Sequence, residues 1–503
     1  MMTEFFKNHR NHFIAFLVIG ILMRLAAINQ PLIDAHSERQ CYTAACSRSL
    51  SEQSGWPISF MPNWCGDQVV HLALEFPVYN YLTIFLTHVT GNLDVSGKLL
   101  SILFWALSFF VIQGIWRKLL SERETFWANF LFVFSPLSVF FGQVFMMEML
   151  VQFLACTMIL TLLRYRESGR LLDYCLFVLV GILGMLIKPP IIAHLFLVAL
   201  FVFWQRDKWH LLFRWRYWIG GILTLTIMFL WSRYLTGVNV DYGWTPDTIL
   251  AYHLRTLADR INPINYLRIG GYLSVFVTSL PGMLIVFIGI FLFRRRSNSG
   301  FVWCWLFSIV VYYLVLGFGP ATGHSYYSLP ALPLMCLFFG AGFAHVLDFR
   351  SKGERIWKPL LIAAIAISLV GGSLYLFRQD RVIYESAIWM RDNSAPKDNV
   401  IFVPGHDRGF INFPHEAIFA YYSNRKIWLF TYKLSEKDRQ HALETAEWVV
   451  VTTPPGQLSA LEKLRLAWRF ETPAAAPKTT WLDNSAFAPY FTGKQFVVYK
   501  RRP

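Results

Sequence analysis

Charge is scarce in this chain: 15% of its 503 residues are Asp, Glu, Lys or Arg, where a soluble protein averages roughly 25%. With 55% hydrophobic residues, most of the chain belongs in lipid rather than water. Acidic residues are the scarcer sign, 31 against 46 basic, yet the basic excess forms no strip with interleaved aromatics, which speaks against nucleic-acid binding. Zinc-type CxxC spacing and internal repeats are lacking, and the stretch from about residue 380 onward carries neither a phosphate-cradling glycine loop nor a nucleophile elbow. These absences exclude zinc ribbons and, for that stretch, P-loop enzymes and α/β-hydrolases.

What is there is a series of apolar runs, near residues 12–28, 98–116, 124–142, 146–163, 171–187, 190–204, 217–235, 270–293, 301–317, 327–347 and 359–377. They predict an α-helical polytopic membrane protein with about eleven transmembrane helices. Lys7 and Arg10 precede the first run without a small-residue cleavage site, so it reads as an uncleaved signal anchor. The basic residues of the loops at 117–123, 164–170, 206–216, 294–296 and 350–358 all fall on one side of these spans, which makes that side cytoplasmic. The alternate loops, residues 29–97 foremost, then face outward, as does the chain after residue 378. Residues 76–90 are apolar enough to imitate a span, but a crossing there inverts every later loop. Asn80, Thr83 and Thr87 share one helical face, so this stretch is expected to lie flat in the outer interface.

The organisation predicted is a transmembrane domain over residues 1–378, with interfacial helices in its 29–97 outer loop, and a small C-terminal α/β domain over 379–503. Short strands are expected at 400–403, 427–432 and 448–453, and the polar loop Gly405, His406, Asp407, Arg408 is taken as structural. Cys41, Cys46 and Cys65 share the first outer loop, where one disulfide is possible on an oxidising face.

Titratable residues gather at the outer surface. The densest group is Asp34, His36, Ser37, Glu38, Arg39 and Gln40; the bland alternative makes Asp34 or Ser37 a helix N-cap. His71 and Glu75, four apart, share a face if their stretch is helical and are the candidates for a divalent cation. Glu148 sits at the outer end of a span, where a carboxylate costs about 2–3 kcal/mol and marks a site. Lys188, in IKPPII, either snorkels or binds an anion, and Arg24 reads as a snorkelling residue. His324, beside Tyr326 and Tyr327, is placed to donate to a phosphate.

In this order these features resemble the GT-C class of polyprenyl-phosphate-sugar-dependent glycosyltransferases, in the branch of protein mannosyltransferases and bacterial aminoarabinose transferases. The resemblance runs from residue 12 to about 350. It is carried by Asp34-x-His36-x-x-Arg39-Gln40, Glu75-Phe76-Pro77, Glu148, Leu186-Ile187-Lys188-Pro189-Pro190 and His324-x-Tyr326-Tyr327 followed by Leu329-Pro330.

The resemblance implies an enzyme moving a sugar from a polyprenyl-phosphate donor to a hydroxyl of a glycolipid, glycan or protein acceptor. The setting it implies is the bacterial inner membrane, with the site and the C-terminal domain on the periplasmic side. It makes Asp34 the catalytic carboxylate, completes the acidic site with Glu75 and Glu148, and brings Lys188, His324, Tyr326 and Tyr327 to the lipid phosphate. Two departures stand out: Ala35 replaces the acid that follows the aspartate in many relatives, and Phe76 replaces a lysine of the aminoarabinose transferases. The second argues against aminoarabinose transfer to lipid A. The rival class is a transporter or lipid-linked oligosaccharide flippase, since intramembrane charge also marks substrate paths. Transporters favour a midplane site within repeats.

Overall fold

A computed structural model describes residues 9–239, 245–254, 256–316, 324–351, 353–379, 381–404, 417–430, 435–452, 486–493 and 495–502. The Gly405–Arg408 loop lies outside them. The chain divides into two compact units, Met1–Gln30 with Leu74–Phe377, and Pro31–Ala73 with Arg378–Pro503.

The first unit is helical and belongs to an integral membrane protein. Seven of its described helices are long and apolar enough to cross a bilayer. They are Leu93–Leu119, Glu148–Ser168, Pro189–Phe213, Trp215–Val238, Ser299–Leu316, Ser325–Asp348 and Glu354–Leu376. An eighth is reached if Pro263–Thr278 and Leu280–Phe293, bent by 98°, count as one span. Asn11–Leu25 and Leu171–Ile187 are apolar but shorter. The run at 124–142 is broken in two, Glu122–Phe134 and Pro136–Phe141. Pro136 disfavours helical backbone at Ser135, which sits at ψ 129°.

The bend at 279 has a similar local cause. Ser279 adopts φ 69°, ψ 159°, a region nearly reserved for glycine, and its hydroxyl accepts from the Gly282 amide at 3.1 Å. The two breaks are tied together, because Ser135 Oγ donates to the Phe276 carbonyl at 3.2 Å. Interrupted backbone inside an apolar unit needs such partners.

Val78–Thr90 is a helix whose polarity is sorted as expected and opposite to that of a soluble helix. Tyr79, Asn80 and Thr83 are buried, while Phe85 and Val89 are 71% and 76% exposed. Arg24 departs from expectation. Rather than snorkelling it is fully buried, donating to the carbonyls of Gly20 and Val133 and to Ser138 Oγ, with its guanidinium 3.7 Å from the Trp105 ring centroid.

The second unit holds a five-stranded sheet of order β2-β1-β3-β5-β4, made of β1 Asn399–Val403, β2 Lys426–Leu429, β3 Trp448–Thr452, β4 Phe487–Thr492 and β5 Phe496–Arg501. β1 pairs parallel with β2 and β3; β5 runs antiparallel to β3 and β4. One face buries Ile401, Val403, Trp428, Val449 and Val451. The β2 edge is covered by a segment from far upstream. The Gly66 amide donates to Ile427 O at 2.8 Å and the Ile427 amide to Asn63 O at 2.7 Å, which satisfies backbone groups an open edge leaves unpaired. Helix Ser37–Glu52 joins the same unit through Arg48, which donates to Tyr421 O at 2.8 Å.

No disulfide links Cys41, Cys46 and Cys65. Burial pushes the Cys65 thiol up to about 12 and that of Cys46 higher still, which leaves little of the thiolate that exchange requires.

Candidate active site

In the first unit the structure brings together two of the candidate residues, Lys188 and Glu148. Helix Leu171–Ile187 stops at Lys188 because Pro189 and Pro190 follow, and Lys188 turns out of helical geometry with φ −152°, ψ 76°. Glu148 opens helix Glu148–Ser168, where the helix dipole favours an anion. Lys188 Nζ is ion-paired to Glu148 Oε1, with the side chains only 9% and 1% exposed. Lys188 is therefore paired inside the unit, not snorkelling. Glu148 Oε2 is buried and has no hydrogen-bond partner among the described residues, and a buried carboxylate oxygen in that condition calls for an explanation.

Lys188 Nζ also lies 4.1 Å from the Tyr326 ring centroid, a cation–π distance. The segment Ser325–Ala331 is a buried 3₁₀ turn that brings Tyr326 against Tyr327, their rings tilted by 45° with centroids 4.7 Å apart. The His324 ring is 5.4 Å from that of Tyr326. Tyr312 OH donates to the Tyr327 carbonyl at 3.0 Å.

The structure adds His253, which sequence reading passed over. Its Nδ1 is 2.8 Å from the Ile249 carbonyl and its Nε2 is 2.8 Å from Tyr327 OH. A carbonyl only accepts, so Nδ1 carries the hydrogen. In the neutral ring Nε2 then accepts from the Tyr327 hydroxyl. Burial lowers the imidazole from its ordinary range and the Lys188 ammonium adds to this, against the opposing pull of the Ile249 carbonyl. The sequence around it, PDTILAYHL, carried no pattern that singles this histidine out.

Glu75 enters the same unit through its neighbour. The Phe76 amide donates to Leu186 O at 3.2 Å, so the chain at Glu75 runs beside the turn that delivers Lys188. The helical face expected for His71 and Glu75 does not form. Residues 71–77 are not helical, and Leu72 instead bridges to Phe60 in antiparallel fashion. His71 faces Ser59 Oγ at 3.4 Å. Among the described residues, no three of His, Cys, Asp or Glu are grouped to hold a metal ion.

Asp34 stands in the second unit. It is 8% exposed, and the Gln40 amide donates to its Oδ1 and, at 3.1 Å, to the Ala35 carbonyl. Helix Ser37–Glu52 begins after His36, which occupies the left-handed region at φ 58° and makes no side-chain cap. Neither Asp34 nor Ser37 serves as the N-cap, so that bland account of Asp34 is removed. Arg39 lies over the Tyr42 ring, 5.1 Å from its centroid.

Residues 75–232 match the family of dolichyl-phosphate-mannose-protein mannosyltransferases. Among solved structures, ArnT from Cupriavidus metallidurans bound to undecaprenyl phosphate is similar over 97% of both chains, at 12% identity and TM-score 0.65. The archaeal oligosaccharyltransferase AglB from Archaeoglobus fulgidus, in complex with an inhibitory peptide and a dolichol-phosphate, is similar over 88% of this chain and 69% of its own, at 11% identity and TM-score 0.54. No curated protein sequence matches. At such identities the likeness is one of fold: the chain has the GT-C fold of these membrane glycosyltransferases.

Proposed function

We propose that this chain is a glycosyltransferase that moves a sugar from a polyprenyl-phosphate donor to an acceptor hydroxyl on the outer face of the membrane. The acceptor oxygen forms a bond to the anomeric carbon as the bond from that carbon to the phosphate oxygen breaks. The hydroxyl proton passes to a carboxylate, and the polyprenyl phosphate leaves as a monoester. Single displacement inverts the anomeric centre.

The observation that supports this reading most is the buried Lys188–Glu148 pair with Tyr326 stacked on its cation. Burying two charges costs several kcal/mol per ion, so a fold keeps such a pair for use. Lys188, Tyr326, Tyr327 and His324 are assigned to the donor phosphate. Glu148, whose second oxygen lacks a partner among the described residues, is assigned to a hydroxyl or amine of substrate, and Glu75 to the same acidic group. Asp34, held by Gln40, is assigned the base role. The sugar is left open; Phe76 speaks against aminoarabinose.

Mass spectrometry of glycans and glycolipids from cells with and without the gene tests the reading. The expected result is one acceptor lacking one sugar residue in the deletion strain, restored by the wild-type chain and not by Lys188→Ala. Unchanged glycans together with accumulation of a lipid-linked sugar on the cytoplasmic leaflet would indicate a flippase instead.

A further inference from the structure

Glu148 is delivered by residues 142–147, a stretch of turns between Pro136–Phe141 and Glu148–Ser168. Backbone outside helices leaves carbonyls unpaired, and inside an apolar unit each must find a donor. Part of this is met within the stretch, where the Met146 amide donates to Val144 O at 2.8 Å; Ser101, fully buried on helix Leu93–Leu119, adds its single O–H, with Oγ 2.6 Å from Val144 O and 3.1 Å from Met146 O. The Tyr79 hydroxyl lies 2.9 Å from Ser101 Oγ and 2.8 Å from Gly97 O. Phe145, between the two gripped carbonyls, lies flat on Gly97, where an added Cβ would come within 2.5 Å of its ring. Tyr79 sits on the helix that follows Glu75, so one chain of hydroxyls runs from the Glu75 side of the site to the residues that aim Glu148.

We infer that Tyr79 and Ser101 are positioning residues. They lock residues 142–147 so that Glu148 meets Lys188 through Oε1 and keeps Oε2 turned to a substrate donor. This rests on the reading of Glu148 as a substrate-contacting group, and the experiment separates the two.

In the purified full chain, hydrogen exchange of the amides from Gln143 to Glu148 is compared between wild type, Ser101→Ala, Tyr79→Phe and Ser101→Thr. The lock predicts at least about tenfold faster exchange there in the first two variants, wild-type exchange in Ser101→Thr, and no change in the Ser299–Leu316 helix. Turnover is read with undecaprenyl-phosphate-linked mannose, glucose and aminoarabinose as donors. Losing the lock lowers kcat about ten- to a hundredfold, leaves the Kd for undecaprenyl phosphate within about twofold, and adds little to the loss already caused by Glu148→Gln. Unchanged exchange, or rate losses that multiply with those of Glu148→Gln, would overturn the inference. Wild-type turnover in Glu148→Gln, or no turnover with any donor, refutes the reading of the site instead, and the exchange experiment still decides whether the lock exists. Should Ser101→Ala fail to fold, Tyr79→Phe keeps the ring, removes one oxygen and answers the same question.

Discussion

At the scale of single residues, the Lys188–Glu148 pair makes a sharp demand. Replacing only Lys188 strands a carboxylate in an apolar surrounding, so Lys188→Met is expected to cost about 3–5 kcal/mol of stability. The double variant Lys188→Met/Glu148→Gln should recover most of that without recovering turnover, read from unfolding midpoints and an activity assay on the same preparations. A single variant as stable as wild type would mean that the pair is not held as described. His253 gives a pH prediction. Its folded-state proton affinity is lowered, so as pH falls below about 6.5 the unfolded chain takes up the proton first. Its contribution to stability is therefore complete at pH above 6.5 and is lost towards the depressed folded value. The thermal midpoint should fall between pH 7 and 5, and less steeply in His253→Gln; identical slopes would refute it. Legibility at this scale was uneven. Glu148 and Lys188 were visible because a charge among apolar neighbours stands out in any window. His253 was not, since its meaning comes from Tyr327, 74 positions away.

At the scale of elements, packing of Leu280–Phe293 against Leu332–Asp348 depends on Gly289, where a Cβ would stand 1.9 Å from the Phe338 carbonyl oxygen. Backbone cannot yield as a flexible side chain does. Gly289→Ala should thus cost at least about 1–3 kcal/mol, measured as a lowered unfolding midpoint; a variant within error of wild type would contradict this packing. Hydropathy located these helices well, because length and composition are what a bilayer selects. The 98° bend at Ser279 escaped it, since an apolar run reads alike whether straight or broken. Strands β1, β2 and β3 were legible as short apolar runs. β4 and β5 were not anticipated: β4 contains Pro489, at a register shift, and an edge strand has no buried pattern on either side to reveal it.

At the scale of the whole molecule, the grouping of Pro31–Ala73 with Arg378–Pro503 was beyond linear reading, because backbone pairing such as Gly66 to Ile427 leaves no periodic trace in either partner. The charge distribution predicts a topology with the loops at 117–123 and 294–300 in the cytoplasm and residues 380–503 outside. An alkaline phosphatase fused after Pro503 should accordingly be active and a cytoplasm-dependent reporter silent; the reverse would invert the topology. The central claim is the transfer itself. The purified chain in nanodiscs, given undecaprenyl-phosphate-linked sugars and a glycolipid acceptor, is predicted to release undecaprenyl phosphate and add the mass of one sugar to the acceptor. Asp34→Asn should lower that rate by about 10²–10⁴ while still binding undecaprenyl phosphate. No transfer from any donor would contradict the account, and an Asp34→Asn variant retaining more than about a tenth of the wild-type rate would remove Asp34 from the role of base.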